Sequence, residues 1–490
     1  MNSETPIRMA PTVPRVEGIP GQQLTGRLGT WSTTLIVLAF LAPLGGVVGY
    51  VPLTIGYGNG LGAPLTYVVV GVALLFFAVG YSTLVRTVGR PGAFYAYIAV
   101  SLGRQVGLGA SLLSLSAYLV AGIGFFTYGG IVASTIIAQF GGPTLPWWIG
   151  SFGLAILVAA LSYRGAEFNA RVMIVIVIFE VIVILAFNAV QFATKGFTRE
   201  SATVLNPANL THGSLITAIV FVFVAYVGFE VASVYFEEMR DPRRTVGRAT
   251  YAAVITLTVF YVICAWAFIL YYGTDKAAAA AGDDPANSYL AAMEGTFGHT
   301  VGQIVAIQLL TSVLASVLSI VNVGSRYVYS LGVDRVLPER LGRVHPKTKA
   351  PSYASLAING LIFGAIGLIA VTGIDPVVIY SGMAGASAIA FVGMLLLVSV
   401  AVIVYFRRAR DSGESWFRTL LAPGIGLAFL LTVLVYAVFN VDQLTGPDNA
   451  HFAYVLIAGH LMLLLAGIAL AFWLQRTRTL TYERIGRSIL

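Results

Sequence analysis

From Trp31 to Leu474 the chain is a succession of apolar runs, each long enough to cross roughly 30 Å of hydrocarbon as a helix. Twelve spans can be read, at 31–57, 63–86, 105–139, 145–164, 169–194, 213–238, 248–273, 300–332, 351–373, 376–406, 420–441 and 451–474. Gly92 to Leu102 reads either as an approach to the third span or as a short helix of its own. Helices are the only spanning element that fits, because the runs reach or exceed about 20 residues without the alternation of a membrane barrel. Composition agrees. Only 10% of the 490 residues are charged and 58% are hydrophobic, with a mean hydropathy of +0.85, whereas a soluble protein carries about 25% charged residues. A soluble enzyme, a disordered chain and a disulfide-stapled secreted domain are excluded. The expected fold is an all-α, multi-pass membrane protein embedded in a lipid bilayer.

The net charge of +8 would suggest nucleic-acid binding in a soluble protein, but the basic residues form no single patch. With both termini on one side, 26 of the 29 Lys and Arg fall in the two tails and the loops after even-numbered spans, leaving Lys195, Arg199 and Lys276 opposite. Cytoplasmic loops carry the Lys/Arg excess. The charge therefore implies cytoplasmic N- and C-termini in a cell (inner or plasma) membrane, and no nucleic-acid partner. Residues 1–30 are polar, hold Pro11, Pro14 and Pro20, and lack the apolar stretch of a signal peptide.

Two spans are interrupted. The first reads Leu41-Ala42-Pro43-Leu44-Gly45-Gly46-Val47-Val48-Gly49, and the sixth reads Ala225-Tyr226-Val227-Gly228-Phe229-Glu230. Proline removes a backbone donor and glycine permits non-helical dihedrals. Irregular backbone at membrane depth survives only where it lines a cavity or is buried in protein. Interruptions five spans apart place the second copy upside down, the signature of inverted repeats with a binding site between them. Close helix packing through small residues is the plainer alternative.

Only two carboxylates fall well inside the spans, Glu180 and Glu230. An intramembrane carboxylate is costly and marks a functional site by default. Such groups can exchange protons as their surroundings change, so both are candidate coupling residues; a hydrogen-bonded structural role is the alternative, for Glu230 as a tether of the loosened backbone. Other patterns carry less. Gly58-Asn59-Gly60-Leu61-Gly62 follows no strand and is no nucleotide loop. Ala277 to Ala281 reads as filler, Cys264 as a small buried hydrophobe, and His460 stands without a second metal ligand. Arg240, Arg243 and Arg244 beside Glu237, Glu238 and Asp241 read as a solvated edge, or as part of an inner gate.

The sixth span and its exit, Gly228-Phe229-Glu230 through Glu237-Glu238-Met239-Arg240-Asp241-Pro242-Arg243-Arg244, resemble the amino acid–polyamine–organocation (APC) transporters. So do Asn322, Ser325-Arg326, Asp334, Leu337-Pro338, Val344-His345-Pro346 and Pro351 around the eighth span. Gly92-Ala93-Phe94-Tyr95-Ala96-Tyr97, beside Gly103 and Gly107, adds a third match. Together they cover roughly residues 31–410. The resemblance implies a LeuT-type five-plus-five inverted repeat with helices 1 and 6 broken, followed by two further helices. That divides the chain into a tail (1–30), a first repeat (31–194), an external loop (195–212), a second repeat (213–406), two closing helices with their loop (407–474) and a C-terminal tail (475–490). One departure concerns the first break, where a Gly-Ser-Gly often found in the family reads Gly45-Gly46-Val47 here. Backbone amides remain available for a substrate carboxylate.

The resemblance further implies a substrate site at Pro43, Leu44, Gly45, Gly46 and Val47 in the first span and Ala117 and Tyr118 in the third. Val224, Ala225, Tyr226, Val227 and Gly228 in the sixth and Ser319 or Ile320 in the eighth complete it. These residues carry no charge, which suits a neutral ligand side chain; Tyr118 and Tyr226 could offer cation–π faces to one ammonium. No cofactor is expected. A proton gradient through Glu180 or Glu230, exchange and facilitated diffusion are all open, and a sodium site would draw on the hydroxyls of Ser316 and Ser319. The implied function is secondary transport of a small amine-containing solute, foremost an amino acid, by alternating access. A carboxylate-free amine or polyamine is the runner-up, and a membrane-embedded sensor or enzyme the remote alternative.

Overall fold

The computed structural model describes residues 28–40, 43–89, 93–163, 166–196, 198, 201–285, 287–346, 350–409, 413–445 and 450–486. Most of the N-terminal tail, Leu41 and Ala42 of the first interruption, and Gly92 lie outside the described residues. Among these residues every regular element is helical, and one isolated bridge joins Leu28 to Met239.

Helix α1 (Thr30–Phe40) and α2 (Pro43–Leu53) flank the first interruption. A π-turn at Thr54–Asn59 and a 3-10 turn at Gly60–Gly62 lead into α3 (Ala63–Val88). The glycine-rich stretch is thus a structural joint: Asn59 Nδ2 donates to Thr66 Oγ1 at 2.9 Å, and the Gly58 carbonyl accepts from the Ser214 amide at 3.0 Å. The ambiguity before the third span resolves as a separate α4 (Ala93–Leu102). Gly103, at φ +105°, turns the chain into α5 (Arg104–Gln139), a conformation that favours glycine. Then follow α6 (Trp147–Tyr163) and α7 (Ala166–Lys195).

The second half begins with α8 (Leu215–Tyr226) and a 3-10 segment at Phe229–Glu238. It continues through α9 (Pro242–Tyr272), α10 (Ala277–Asp283), α11 (Ser288–Phe297), α12 (His299–Val333), α13 (Ser352–Ala370) and α14 (Pro376–Arg408). The chain closes with α15 (Ala422–Phe439), α16 (Val441–Thr445), α17 (Ala450–Thr477) and α18 (Thr479–Arg484). The alanine run expected to be filler is instead helix α10. Ala277 and Ala281 are fully buried, and any side chain at Gly56 would strike the Ala281–Gly282 backbone. Small residues on both sides let the two segments close on one another.

Ten stretches among the described residues are long and apolar enough to cross a membrane, against the twelve spans read from sequence. The difference has two sources. The turns after α2 join it to α3 as one stretch, Pro43–Val88, and α6 is a shorter apolar helix over Trp147–Ser162. Helix α5 packs along α6, α12, α14 and α17, while α1 lies against α7, α9, α12 and the 3-10 segment. Outward faces are apolar, as lipid requires: on α7, Val175, Ile178, Phe179, Ile182 and Leu185 are exposed.

Candidate substrate cavity and membrane carboxylates

Helix α2 starts with Pro43, which has no amide to leave unpaired. The next amide, that of Leu44, donates to Glu180 Oε2 at 3.1 Å. Ser312 Oγ of α12 donates to the same oxygen at 3.0 Å and accepts from the Gly45 amide at 3.4 Å. A carboxylate from α7 thereby meets the positive end of the α2 dipole, where negative charge is favoured. On the other side of the interruption, Ser316 Oγ donates to the Phe40 carbonyl at 3.4 Å. Glu180 is fully buried, and its second oxygen, Oε1, has no hydrogen-bond partner.

The sixth-span interruption is built differently. Helix α8 ends at Tyr226; Val227 is extended at ψ 121°, and Gly228 takes φ +122°, ψ −14°, a conformation open to glycine alone without strain. Glu230, two residues on, folds back so that its Oε2 accepts from the Gly228 amide at 2.8 Å. Tyr118 of α5 donates to Oε1 at 3.2 Å. Both oxygens of Glu230 are engaged, and it tethers the loosened backbone.

Between the two interruptions lies a cavity of about 60 Å³. The first span contributes Phe40, Gly46 and Tyr50; α5 gives Ala121 and Phe125, and the α8 region Val224, Ala225 and Val227. Ile320 of α12 and Ala384, Ser387, Ala388 and Phe391 of α14 complete the lining, which carries no charged side chain. Tyr118 supports it from behind, edge-on to Phe40 and Phe391 at centroid distances of 6.0 and 4.8 Å.

Of the residues singled out from sequence, Gly46, Val224, Ala225, Val227 and Ile320 line this cavity. Pro43, Leu44, Gly45 and Gly228 shape the breaks beside it, and Val47 is buried in packing. Ala117 and Tyr118 lie on the α5 turn preceding Ala121, a lining residue. Tyr226 turns away: its hydroxyl donates to the Tyr67 carbonyl at 3.2 Å and Thr258 Oγ1 at 2.9 Å. It is not among the residues that line the cavity. Ser319 Oγ donates to its own helix, at the Ala315 carbonyl, 2.8 Å away. Sequence reading missed the α14 wall, for which the small-residue run Gly382 to Ala388 is the available signal, and it missed Ser312, four residues before Ser316 on the same helical face.

Glu238 also departs from expectation. It is not on a solvated edge but buried, with Oε1 accepting from Arg326 Nη2 at 2.6 Å and Nε at 2.8 Å. The guanidinium lies 4.2 Å above the Tyr235 ring. Leaving either partner alone in such a site is strongly destabilising. Leu28 pairs with the same corner, its amide donating to the Glu238 carbonyl at 2.8 Å.

Helices enclosing a small cavity between two interrupted stretches are an arrangement used by solute carriers. The sequence profile of the amino acid permease family matches residues 28–463. The chain belongs to the amino acid permease family, and it is a transporter, not an enzyme. It is 24% identical over 477 residues to the branched-chain amino acid permease BcaP of Bacillus subtilis, covering 93% of this chain and 94% of the relative. It is 26% identical over 314 residues to the low-affinity putrescine importer PlaP of Escherichia coli K12, covering 63% and 66% respectively. A plant relative, the chloroplastic cationic amino acid transporter 6 of Arabidopsis thaliana, is 24% identical over 388 residues, covering 72% of this chain and 62% of its own.

Proposed function

We propose that this permease carries an amino acid with a neutral, apolar side chain by alternating access, in a twelve-span, LeuT-type arrangement with cytoplasmic termini. The observation that carries this reading is the cavity lining, where aromatic and small aliphatic side chains meet no ionisable group. An apolar ligand side chain gains by burial there, and an ammonium at the far end of a diamine would find no counter-charge. The BcaP relative, matched over nearly the full length of both chains, accords with it. Glu180 is assigned to coupling, with a proton gradient as the driver, because its free oxygen and its bond to the start of α2 link a titratable group to the interrupted helix. Sodium, the other ion considered, would draw on the hydroxyl oxygens of Ser316 and Ser319, whose protons point to the Phe40 and Ala315 carbonyls.

A second reading, a permease for a carboxylate-free amine, is favoured by one feature: the Leu44 amide, at the helix start where a substrate carboxylate would be received, is taken by Glu180. Proteoliposomes offered radiolabelled leucine, valine, alanine, putrescine and agmatine, with and without pH and sodium gradients, separate the two. Saturable uptake of leucine or valine that exceeds putrescine uptake supports the first reading. Accumulation of putrescine or agmatine without neutral amino acids replaces it by the second.

A further inference from the structure

Glu180 lies deep in the protein, yet a coupling carboxylate needs a way to solvent. The inward stripe of α7 consists of Val177, Glu180, Ile184, Phe187, Asn188 and Gln191, all buried. Half of that stripe is polar, whereas Val175, Ile178, Phe179, Ile182 and Leu185 of the same helix, level with it, are exposed and apolar. Helices α7 and α12 are antiparallel neighbours, since Glu180 bonds Ser312 while the later Gln191 donates to Thr296, just before α12, at 2.9 Å. Register follows. One turn outward from Glu180, α7 presents Ile184; one turn outward from Ser312, α12 presents Gln308. Gln308 therefore supplies a polar group at the level where α7 has none.

These groups are unusually short of partners. Both side-chain amide atoms of Gln308, Oδ1 of Asn188 and Oε1 of Glu180 have no hydrogen-bond partner within the protein, although the three residues are 5%, 2% and 0% exposed. Leaving a buried polar atom unpaired costs roughly 1–3 kcal/mol, and such atoms are normally satisfied by buried water. The other Asn188 amide atom, Nδ2, donates to Cys264 Sγ at 3.4 Å. The titratable groups bordering the stripe include Glu180 of α7, Cys264 and Tyr271 of α9 and Tyr289 of α11, the Tyr271 and Tyr289 rings lying 6.3 and 5.4 Å from that of Phe187. The series ends at the Gln191–Thr296 pair, beside exposed Thr194 and Lys195 and about 16 Å from Glu180 by helical rise.

We propose that Gln308, Asn188, Gln191 and Thr296 order a file of water through which Glu180 exchanges protons with the face of the protein that carries Lys195. In each hop one O–H bond breaks and another forms, so that one proton moves along the file. Glu180 is the only residue that gains or loses a proton; the amides accept from and donate to water and orient it. The inference rests on Glu180 as the coupling group, but its test does not depend on coupling.

The test is infrared spectroscopy of the purified, reconstituted transporter, following the deuterium shift of the protonated Glu180 carboxyl band after transfer to acidified heavy water. Glu180→Gln identifies the band. The double variant Q308L/N188L replaces three unpaired amide atoms, and the one weak bond from Asn188 to Cys264, by apolar groups of similar shape, so its folded yield and thermal stability are expected to stay close to the wild type. The proposal predicts a band shift within seconds in the wild type and exchange slowed at least tenfold in the double variant. An unchanged exchange rate in that variant overturns the file, as does a marked loss of stability, which would give the amides a structural role. If Glu180→Gln instead keeps gradient-driven accumulation, the coupling assignment falls while the exchange result still decides the file.

Discussion

The two membrane carboxylates each bond one of the two interruptions and do opposite things. Glu230 is local: it reaches back two residues to the Gly228 amide, and its remaining oxygen is closed off by Tyr118. Glu180 is remote from its partners in sequence, holding the Leu44 amide across 136 positions and Ser312 across 132, and one of its oxygens remains open. A carboxylate with both oxygens engaged acts as a clasp. One that bridges three helices and keeps an oxygen free can change its proton without releasing every bond at once. Buried acids in a membrane protein are therefore distinguished by their partners, not by their depth.

Four substitutions press on this contrast. Glu180→Gln should lower proton-gradient-driven accumulation of labelled substrate at least tenfold, while counterflow exchange falls less than threefold. Gly228→Ala should come next, because the alanine must adopt φ +122°; a strained residue costs about 1–3 kcal/mol, read as a lower melting temperature in detergent and a reduced transport rate. Glu230→Gln keeps an oxygen to accept from the Gly228 amide, so accumulation and counterflow should fall together, by less than about fivefold, with their ratio near that of the wild type. Tyr118→Phe, which removes one bond worth about 1 kcal/mol, should have the smallest effect, a drop of a few degrees in melting temperature at most.

Much of this architecture is legible in the sequence, for identifiable reasons. Apolar runs of span length have little choice but to be helices in lipid, and Gly228 announces a break because few other features explain a glycine before a buried acid. What sequence reading misses is pairing over distance. Ser312 is one serine among several on α12, and only its register against α7 shows that it meets Glu180. The α14 wall of the cavity lies in an unbroken apolar run with no charge to flag it. Glu238 looks like one of six charges in a cytoplasmic loop until Arg326, 88 residues away, is found against it. Tyr226 stands beside the break in sequence, yet it is buried with its hydroxyl on Tyr67 and Thr258 and does not line the cavity.

The most direct measurement compares Glu180→Gln with Glu230→Gln in the same proteoliposomes, recording gradient-driven accumulation and counterflow of one labelled neutral amino acid. A ratio of accumulation to counterflow that collapses for Glu180→Gln and holds for Glu230→Gln is the predicted result. Normal accumulation by Glu180→Gln, or an equal loss of both activities in the two variants, would contradict the division of labour between the two acids.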